Sequence, residues 1–180
     1  MGWKQIPVGP FNLSGDSDPK LSADLNTQGY GVKLSDTLPN QGYSGIIVKG
    51  QIDPSATVGH IMAFDTNAAD GLYYNASSVA ASTVIPVIGV LVETYTENSE
   101  SYGKILINGL FKNNSLGLPA KGSLIYAGVL NSNSNTGISF SPPGEQDTGS
   151  FVQSIGYVWD NADGNKIIYV KPSQTVMRVS

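Results

Sequence analysis

The chain has one histidine and no cysteine, which restricts the catalytic and metal chemistry open to it. His60 is the only side chain that could serve as the base of a Ser-His-Asp triad. No Gly-x-Ser-x-Gly nucleophile motif accompanies it, and a zinc site needs several Cys or His ligands. We therefore expect no catalytic residue and no metal site, and we interpret His60 as a surface or subunit-contact side chain.

Two acidic segments could also carry chemistry. Glu93, Glu97 and Glu100 are close enough in sequence to suggest the carboxylate pair of a glycosidase, but they run from the end of an apolar stretch into a polar segment that we interpret as a solvated loop. The stretch 160–165, Asp-Asn-Ala-Asp-Gly-Asn, lacks the ligand spacing and the distal glutamate of a calcium loop. We interpret it as a turn between two strands, with Gly164 at positive φ.

Charge and motif content exclude further classes of function. The net charge is −4 and the ten basic residues are scattered, whereas nucleic-acid binding requires clustered Lys and Arg. No run approaches the ~20 apolar residues of a membrane-spanning helix, and no glycine-rich phosphate-binding motif follows a strand. We expect no nucleic-acid partner, no membrane segment and no cofactor.

The elements that position these residues are short strands. The 21 glycines and 10 prolines leave little room for helices of ordinary length, and apolar runs alternate with polar turn clusters. The predicted fold is an all-β sandwich or barrel of short antiparallel strands. The nine predicted strands are Ser44–Gln51, Ile61–Asp65, Gly71–Asn75, Ile85–Tyr95, Gly103–Phe111, Leu124–Ala127, Ile138–Ser141, Val152–Trp159 and Lys166–Lys171. Pro86 cannot donate to a ladder, so its strand should begin after it or bulge there.

The strand cores form two series in the same order, which suggests an internal duplication. The matched positions are 59 with 122, 71 with 137, 89 with 156 and 104 with 166, at offsets of 63, 66, 67 and 62 residues. We therefore predict two four-strand units that pack face to face, with Leu106–Leu118 as the crossing between them. Chance similarity between glycine-punctuated strands is the alternative explanation.

Residues 1–43 differ from residues 44–180, which we assign to the β domain. They contain four prolines and no pair of strong strands, so they gain too little burial to order alone. We interpret them as an extended N-terminal arm that orders against a partner or its own barrel; edge strands of the same domain are the alternative. The predicted capsid or subunit contacts of the arm are Trp3, Ile6, Val8, Phe11 and Leu13.

Six motifs carry a resemblance to a known family. They are Gly-x-x-x-Ala in Gly59–Ala63, Ile88-Gly-Val-Leu-Val-Glu93, Gly103–Phe111, Pro119-Ala-Lys-Gly-Ser-Leu-Ile-Tyr126, Val152-Gln-Ser-Ile-Gly-Tyr-Val158 and Ile168-Tyr-Val-Lys-Pro-Ser173. In this order they resemble the β domain of tailed-bacteriophage decoration (cement) and head-fibre proteins. The resemblance spans about residues 58–173 and transfers no binding residue.

The resemblance implies a structural virion protein without enzymatic activity. Such a protein would form a homo-oligomer, with a trimer favoured, on the outer surface of an icosahedral head, where it would stabilise contacts between major capsid subunits. Two other classes stay open: a fibre or receptor-binding module that recognises host glycans through an exposed aromatic cluster with Asp or Asn neighbours, and a glycan-degrading enzyme with paired carboxylates in a cleft.

Overall fold

A computed structural model describes residues 37–64, 73–75, 86–128, 137–142 and 151–178. These residues all belong to one compact unit, Leu34–Ser180. The predicted contact residues Trp3, Ile6, Val8, Phe11 and Leu13 lie outside the described residues. Eleven strands are described: β1 Tyr43–Gln51, β2 Ile61–Phe64, β3 Tyr73–Asn75, β4 Val87–Glu97, β5 Glu100–Lys112, β6 Leu124–Ala127, β7 Ile138–Ser139, β8 Phe151–Val152, β9 Ser154–Ala162, β10 Asn165–Val170 and β11 Met177–Arg178.

The predicted fold class is confirmed: the described residues form strands and turns, and every pair of named strands is antiparallel. Each of the nine predicted strands overlaps an observed strand. β4 begins directly after Pro86, as the missing N–H of proline requires. The small β8–β11 sheet was not predicted, because two-residue strands leave no periodic pattern in the sequence.

Strand β5 is the centre of a nine-stranded sheet whose main path runs β3-β2-β4-β5-β10-β9-β6-β7. β1 covers one edge of β5 from Tyr102 to Phe111. On the opposite edge, β4 pairs with the first half of β5 and β10 pairs with its last four residues. The sheet therefore divides along β5 into two halves.

The segments that follow Tyr95 and Leu106 differ from the sequence interpretation. The segment predicted as a loop after Tyr95 is a tight hairpin in which Glu97 pairs with Glu100. Asn98 and Ser99 form its turn with φ angles of 51° and 69°, the left-handed pair that suits the twist of adjacent strands. The predicted crossing from Leu106 is also wrong, because β5 continues to Lys112 and the connection to β6 starts after it.

The pairing registers show the internal repeat. In repeat 1 (β2 to β5), Met62 pairs with Gly89 and a bulge follows; in repeat 2 (β6, β7, β9, β10), Ile125 pairs with Gly156 and the same bulge follows. The last two strands also correspond. Val90–Leu106, Leu91–Ile105 and Glu93–Lys104 match Tyr157–Tyr169, Val158–Ile168 and Asp160–Ile167. In β3 and β7, Ala63–Tyr74 matches Tyr126–Ser139. The four offsets are therefore 63, 65, 67 and 63, so two of the predicted offsets were wrong by one residue.

Both repeats contribute to one central core. It contains Val90 and Leu106 from repeat 1 together with Val158 and Ile168 from repeat 2, all fully buried. A second, smaller cluster covers the outer side of repeat 1 around Leu91. The two halves of the sheet thus face each other across the central core, as in a sandwich.

The two repeats bury opposite faces, and a bulge in β5 is the reason. Ile46 pairs with Asn108 and Ile47 with Leu106, which leaves Ile107 as an extra residue. A one-residue slip moves every following side chain to the other side of a sheet. Leu106 therefore enters the central core, whereas its counterpart in repeat 2, Tyr169, lies on the outer side.

Candidate functional site

The most distinctive surface of the described residues is an aromatic face on the outer side of repeat 2, made of Leu124, Tyr157, Trp159 and Tyr169. Leu124 pairs with Tyr157 and Tyr157 with Tyr169, so three of the four form one row across β6, β9 and β10. The Tyr157 and Tyr169 rings are 5.1 Å apart, and Trp159 lies 6.3 Å from each. Leu124 is 51% exposed and Trp159 36% exposed.

The aromatic face continues toward β1 through a polar contact. The Tyr169 hydroxyl donates a hydrogen bond of 2.8 Å to Asn108 Oδ1 on β5. Asn108 pairs with Ile46, which is 59% exposed. With neighbouring strands about 4.8 Å apart, the surface from Leu124 to Ile46 extends roughly 19 Å across the sheet.

Comparison of the repeats shows that this face is more exposed than its counterpart in repeat 1. The counterparts of Leu124, Tyr157, Trp159 and Tyr169 in repeat 1 are Ile61, Val90, Val92 and Leu106. All four belong to the central core and none is more than 4% exposed. Repeat 2 therefore presents large amphipathic side chains at positions where repeat 1 buries aliphatic ones. Contiguous exposed apolar surface of this kind makes the face a candidate interaction site.

A cavity of about 490 Å³ adjoins the aromatic face at Trp159. Ile167, which is fully buried, is among its lining residues. The others are Thr37, Leu38, Lys112, Lys121, Trp159, Asp160 and Asn165. Trp159 is the extra residue of a bulge in β9, since Val158 pairs with Ile168 and Asp160 with Ile167. Bulges of this type redirect a side chain, here the indole that lines the cavity.

Asp160 is held in place by hydrogen bonds from its own hairpin. Its Oδ1 accepts from the Ala162 backbone N–H at 3.2 Å and its Oδ2 from the Asn165 side-chain amide at 2.6 Å. These bonds, with smaller contributions from a hydrogen bond with the Asn161 backbone and from the positive charge of Lys121, lower the pKa of Asp160 below its ordinary value of 3.8. The cavity therefore contains a fixed, ionised carboxylate at neutral pH.

The counterpart of Asp160 in repeat 1 has a different environment. Glu93 Oε2 accepts from the Lys104 ammonium at 2.7 Å and from the Tyr43 hydroxyl at 3.1 Å. The Lys104 hydrogen bond is the main cause of a lowered pKa for Glu93, and it raises the pKa of Lys104. In repeat 2 the position of Lys104 is taken by Ile167, so the carboxylate of Asp160 has no lysine partner at that register position.

The lowered pKa of Glu93 predicts a small pH dependence of stability. We expect Glu93→Gln to reduce the free energy of unfolding at pH 7 by no more than about 1 kcal/mol, because the pair is solvent-screened. The folded pKa lies below the unfolded one, so this stabilisation exists above pH ~4.5 and disappears as the pH falls through the folded value. Urea unfolding of both proteins at pH 7 and pH 3 measures it. A difference that grows on acidification would contradict the assignment.

The structure separates the residues that the sequence singled out for chemistry. His60 is buried, at 8% exposure, so its interpretation as a surface residue was wrong. The Nε2 atom of His60 lies 2.9 Å from Thr57 Oγ1. The backbone carbonyl of His60 accepts a hydrogen bond from Leu91 N–H on β4. Local sequence did not reveal this burial because the cover comes from another strand. The predicted 160–165 turn is confirmed only at Asp163 and Gly164, where Gly164 has a φ of 73°, because Asp160–Ala162 belong to β9 and Asn165 to β10.

The glutamates considered as a glycosidase pair do not form one cluster. Glu93 is bonded to Lys104, whereas Glu100 accepts from the exposed Gln51 amide at 3.0 Å. Within the described part of the chain, no group of three or more His, Cys, Asp or Glu side chains could hold a metal ion. The same residues include no helix long and apolar enough to cross a membrane.

The aromatic face itself was missed by the sequence analysis. Tyr157, Trp159 and Tyr169 lie in runs that were assigned correctly to strands. An apolar run, however, does not show which of the two faces of its strand is exposed to solvent. A signal was available in the duplication. At the predicted offset of 67, Val90 corresponds to Tyr157, a change from an aliphatic to an amphipathic side chain. The match of Leu106 with Tyr169 required the observed register of the last strand.

Comparison with known proteins adds no relative: no protein family, curated protein or solved structure matches the chain.

Proposed function

We propose that this protein is a structural virion protein, a decoration (cement) protein that binds the outer surface of an icosahedral phage head through its aromatic face. The proposal combines the sequence resemblance over about residues 58–173 with one structural observation, the uncovered aromatic face of repeat 2. Its partner is the major capsid protein. The protein acts as a homo-oligomer, with a trimer favoured, and has no enzymatic activity.

The composition of the aromatic face supports docking to a protein surface. Tyr and Trp are enriched where protein interfaces are buried, because each supplies a large rigid contact area and a polar group that stays hydrogen-bonded. The Tyr169 hydroxyl already has its partner in Asn108, so covering this ring leaves no unpaired donor. Leu124 and Ile46 add aliphatic area at either end.

Repetition around a shell would make modest contacts sufficient. A capsid presents many identical sites, so an oligomer that engages several of them gains affinity from effective concentration without new contacts. The predicted arm, with Trp3, Ile6, Val8, Phe11 and Leu13, would supply a second contact to neighbouring capsid subunits. Deletion of the arm then weakens attachment, whereas the aromatic face determines where the β domain docks.

Attachment to shells tests the proposed function. Purified protein is mixed with heads that lack it, and bound protein is counted after sedimentation. We expect saturation at a fixed ratio to the major capsid protein and a higher melting temperature of the shell. Leu124→Asp should reduce attachment at least tenfold, because docking would bury an unpaired carboxylate.

Met177→Asp is the matched control for this variant. Met177 is 59% exposed, as apolar and accessible as Leu124, but it lies on β11 outside the aromatic face. The proposal requires that this control binds like the unmodified protein. Equal binding by both variants would show that the aromatic face is not the docking surface, and no binding of the unmodified protein to any shell would refute the decoration role.

A further inference from the structure

We propose that the cavity beside Trp159 is a saccharide-binding site that accepts one pyranose ring. This inference does not depend on attachment to a capsid. The cavity volume of about 490 Å³ falls within the range of small-ligand sites. Its lining combines one exposed aromatic plane with a small number of charged and amide groups, the combination that sugar recognition requires.

Trp159 provides the apolar half of the recognition. One face of a pyranose ring presents C–H groups, and the electron-rich face of an indole is a favourable surface for them. Trp159 reaches the cavity because it is the extra residue of the β9 bulge. Val92, at the same bulge of repeat 1, is buried in the central core. The fold therefore uses the same local geometry for packing in one repeat and for exposure in the other.

Asp160 provides the polar half. A carboxylate offers about four acceptor positions, and the backbone N–H groups of Asn161 and Ala162 and the side-chain amide of Asn165 use three of them. The remaining position can accept from a sugar hydroxyl group. Because the carboxylate is already fixed by the hairpin, little conformational entropy is lost when a ligand binds.

The difference between the repeats indicates that the Asp160 carboxylate is available to a ligand. In repeat 1, Lys104 forms a 2.7 Å ion pair with Glu93. In repeat 2 the matched residue is Ile167, a lining residue of the cavity. Lys112 and Lys121 line the same cavity, and the positive charge of Lys121 contributes to the lowered pKa of Asp160. They can donate to sugar oxygen atoms and would favour an acidic sugar over a neutral one.

The indole N–H signal of Trp159 gives a direct test. The chain has two tryptophans, so a full-length Trp3→Phe variant labelled with nitrogen-15 shows a single indole signal from Trp159. Glucose, galactose, N-acetylglucosamine and glucuronate are titrated separately to about 50 mM, a range suited to weak sugar binding. We expect a saturable shift of that signal, with glucuronate binding more tightly than glucose.

Two variants locate the binding. Asp160→Asn should weaken the affinity for glucose, which has no charge for Asp160 to repel, roughly tenfold or more, as expected for loss of a hydrogen bond to a charged group. Glu93→Gln, the same kind of change at the matched position of repeat 1, should leave the affinity unchanged.

The proposal is overturned if none of the four sugars gives a saturable shift, or if Asp160→Asn binds as well as the parent. Shell attachment is measured separately and uses Leu124→Asp, which is outside the cavity, so failure of either proposal leaves the other standing.

Discussion

Replacement of Gly156 by alanine is expected to cost more than about 3 kcal/mol of folding free energy. Gly156 lies in β9 with a φ of 150°, a conformation that L-residues rarely adopt. A Cβ at this position would overlap the backbone carbonyl oxygen of Tyr169 on β10 and lie 3.3 Å from Val170 Cα. Both obstacles are backbone atoms in the interior of the sheet, so they cannot move without breaking the β9–β10 ladder.

Chemical denaturation measures this effect, and two further glycines serve for comparison. Gly89 is the repeat 1 counterpart, and a Cβ there would meet the carbonyl of Leu106, the counterpart of Tyr169. Gly89→Ala should therefore also destabilise strongly. Gly117 has no atom within 4 Å of a Cβ, so Gly117→Ala should change stability by less than about 1 kcal/mol. Similar values for Gly156→Ala and Gly117→Ala would show that the strands are not packed as described.

The second large effect is expected at Gln153, a fully buried amide that joins two distant parts of the chain. Its Oε1 accepts from Val87 N–H at 2.7 Å, and its Nε2 donates to the carbonyls of Val87 at 2.9 Å and Ser173 at 2.8 Å. Gln153→Leu keeps the volume but leaves these backbone groups without their partner. We expect a loss of about 3 kcal/mol or more, since each buried unsatisfied group costs about 1–3 kcal/mol.

Hydrogen exchange identifies where the Gln153→Leu protein is weakened. The Val87 amide at the start of β4 should exchange faster relative to the rest of the sheet, because it loses its acceptor. Gln51→Leu is the matched control: its amide makes one exposed hydrogen bond, to Glu100, at 3.0 Å. We expect that substitution to change stability by less than about 0.5 kcal/mol. If both variants were equally stable, Gln153 would not join these segments.

Local signals in the sequence were sufficient for nine strands and their order along the chain. Pro86 marks the start of β4 because proline lacks the donor that a ladder needs. Gly164 marks the turn between β9 and β10 because few other residues accept its positive φ. The repeat was visible for the same reason: each unit repeats the same succession of apolar runs and turns. Two offsets were wrong by one residue. Neighbouring apolar residues in a run align equally well when one run is shifted by one position, whereas hydrogen-bonded pairing fixes the partner of each residue.

The sequence by itself determined the all-β class, the positions of nine strands and the existence of two matched units. Only the tertiary structure decided which side of each unit is buried. Alternation of side chains along a strand defines two faces, but it does not show which of the two is buried in the core. The bulge at Ile107 reverses that choice between the repeats, so Val90 and Leu106 enter the core while Tyr157 and Tyr169 remain on the outer side. A bulge depends on pairing with a distant strand, here β1, and such pairing is a property of the folded chain.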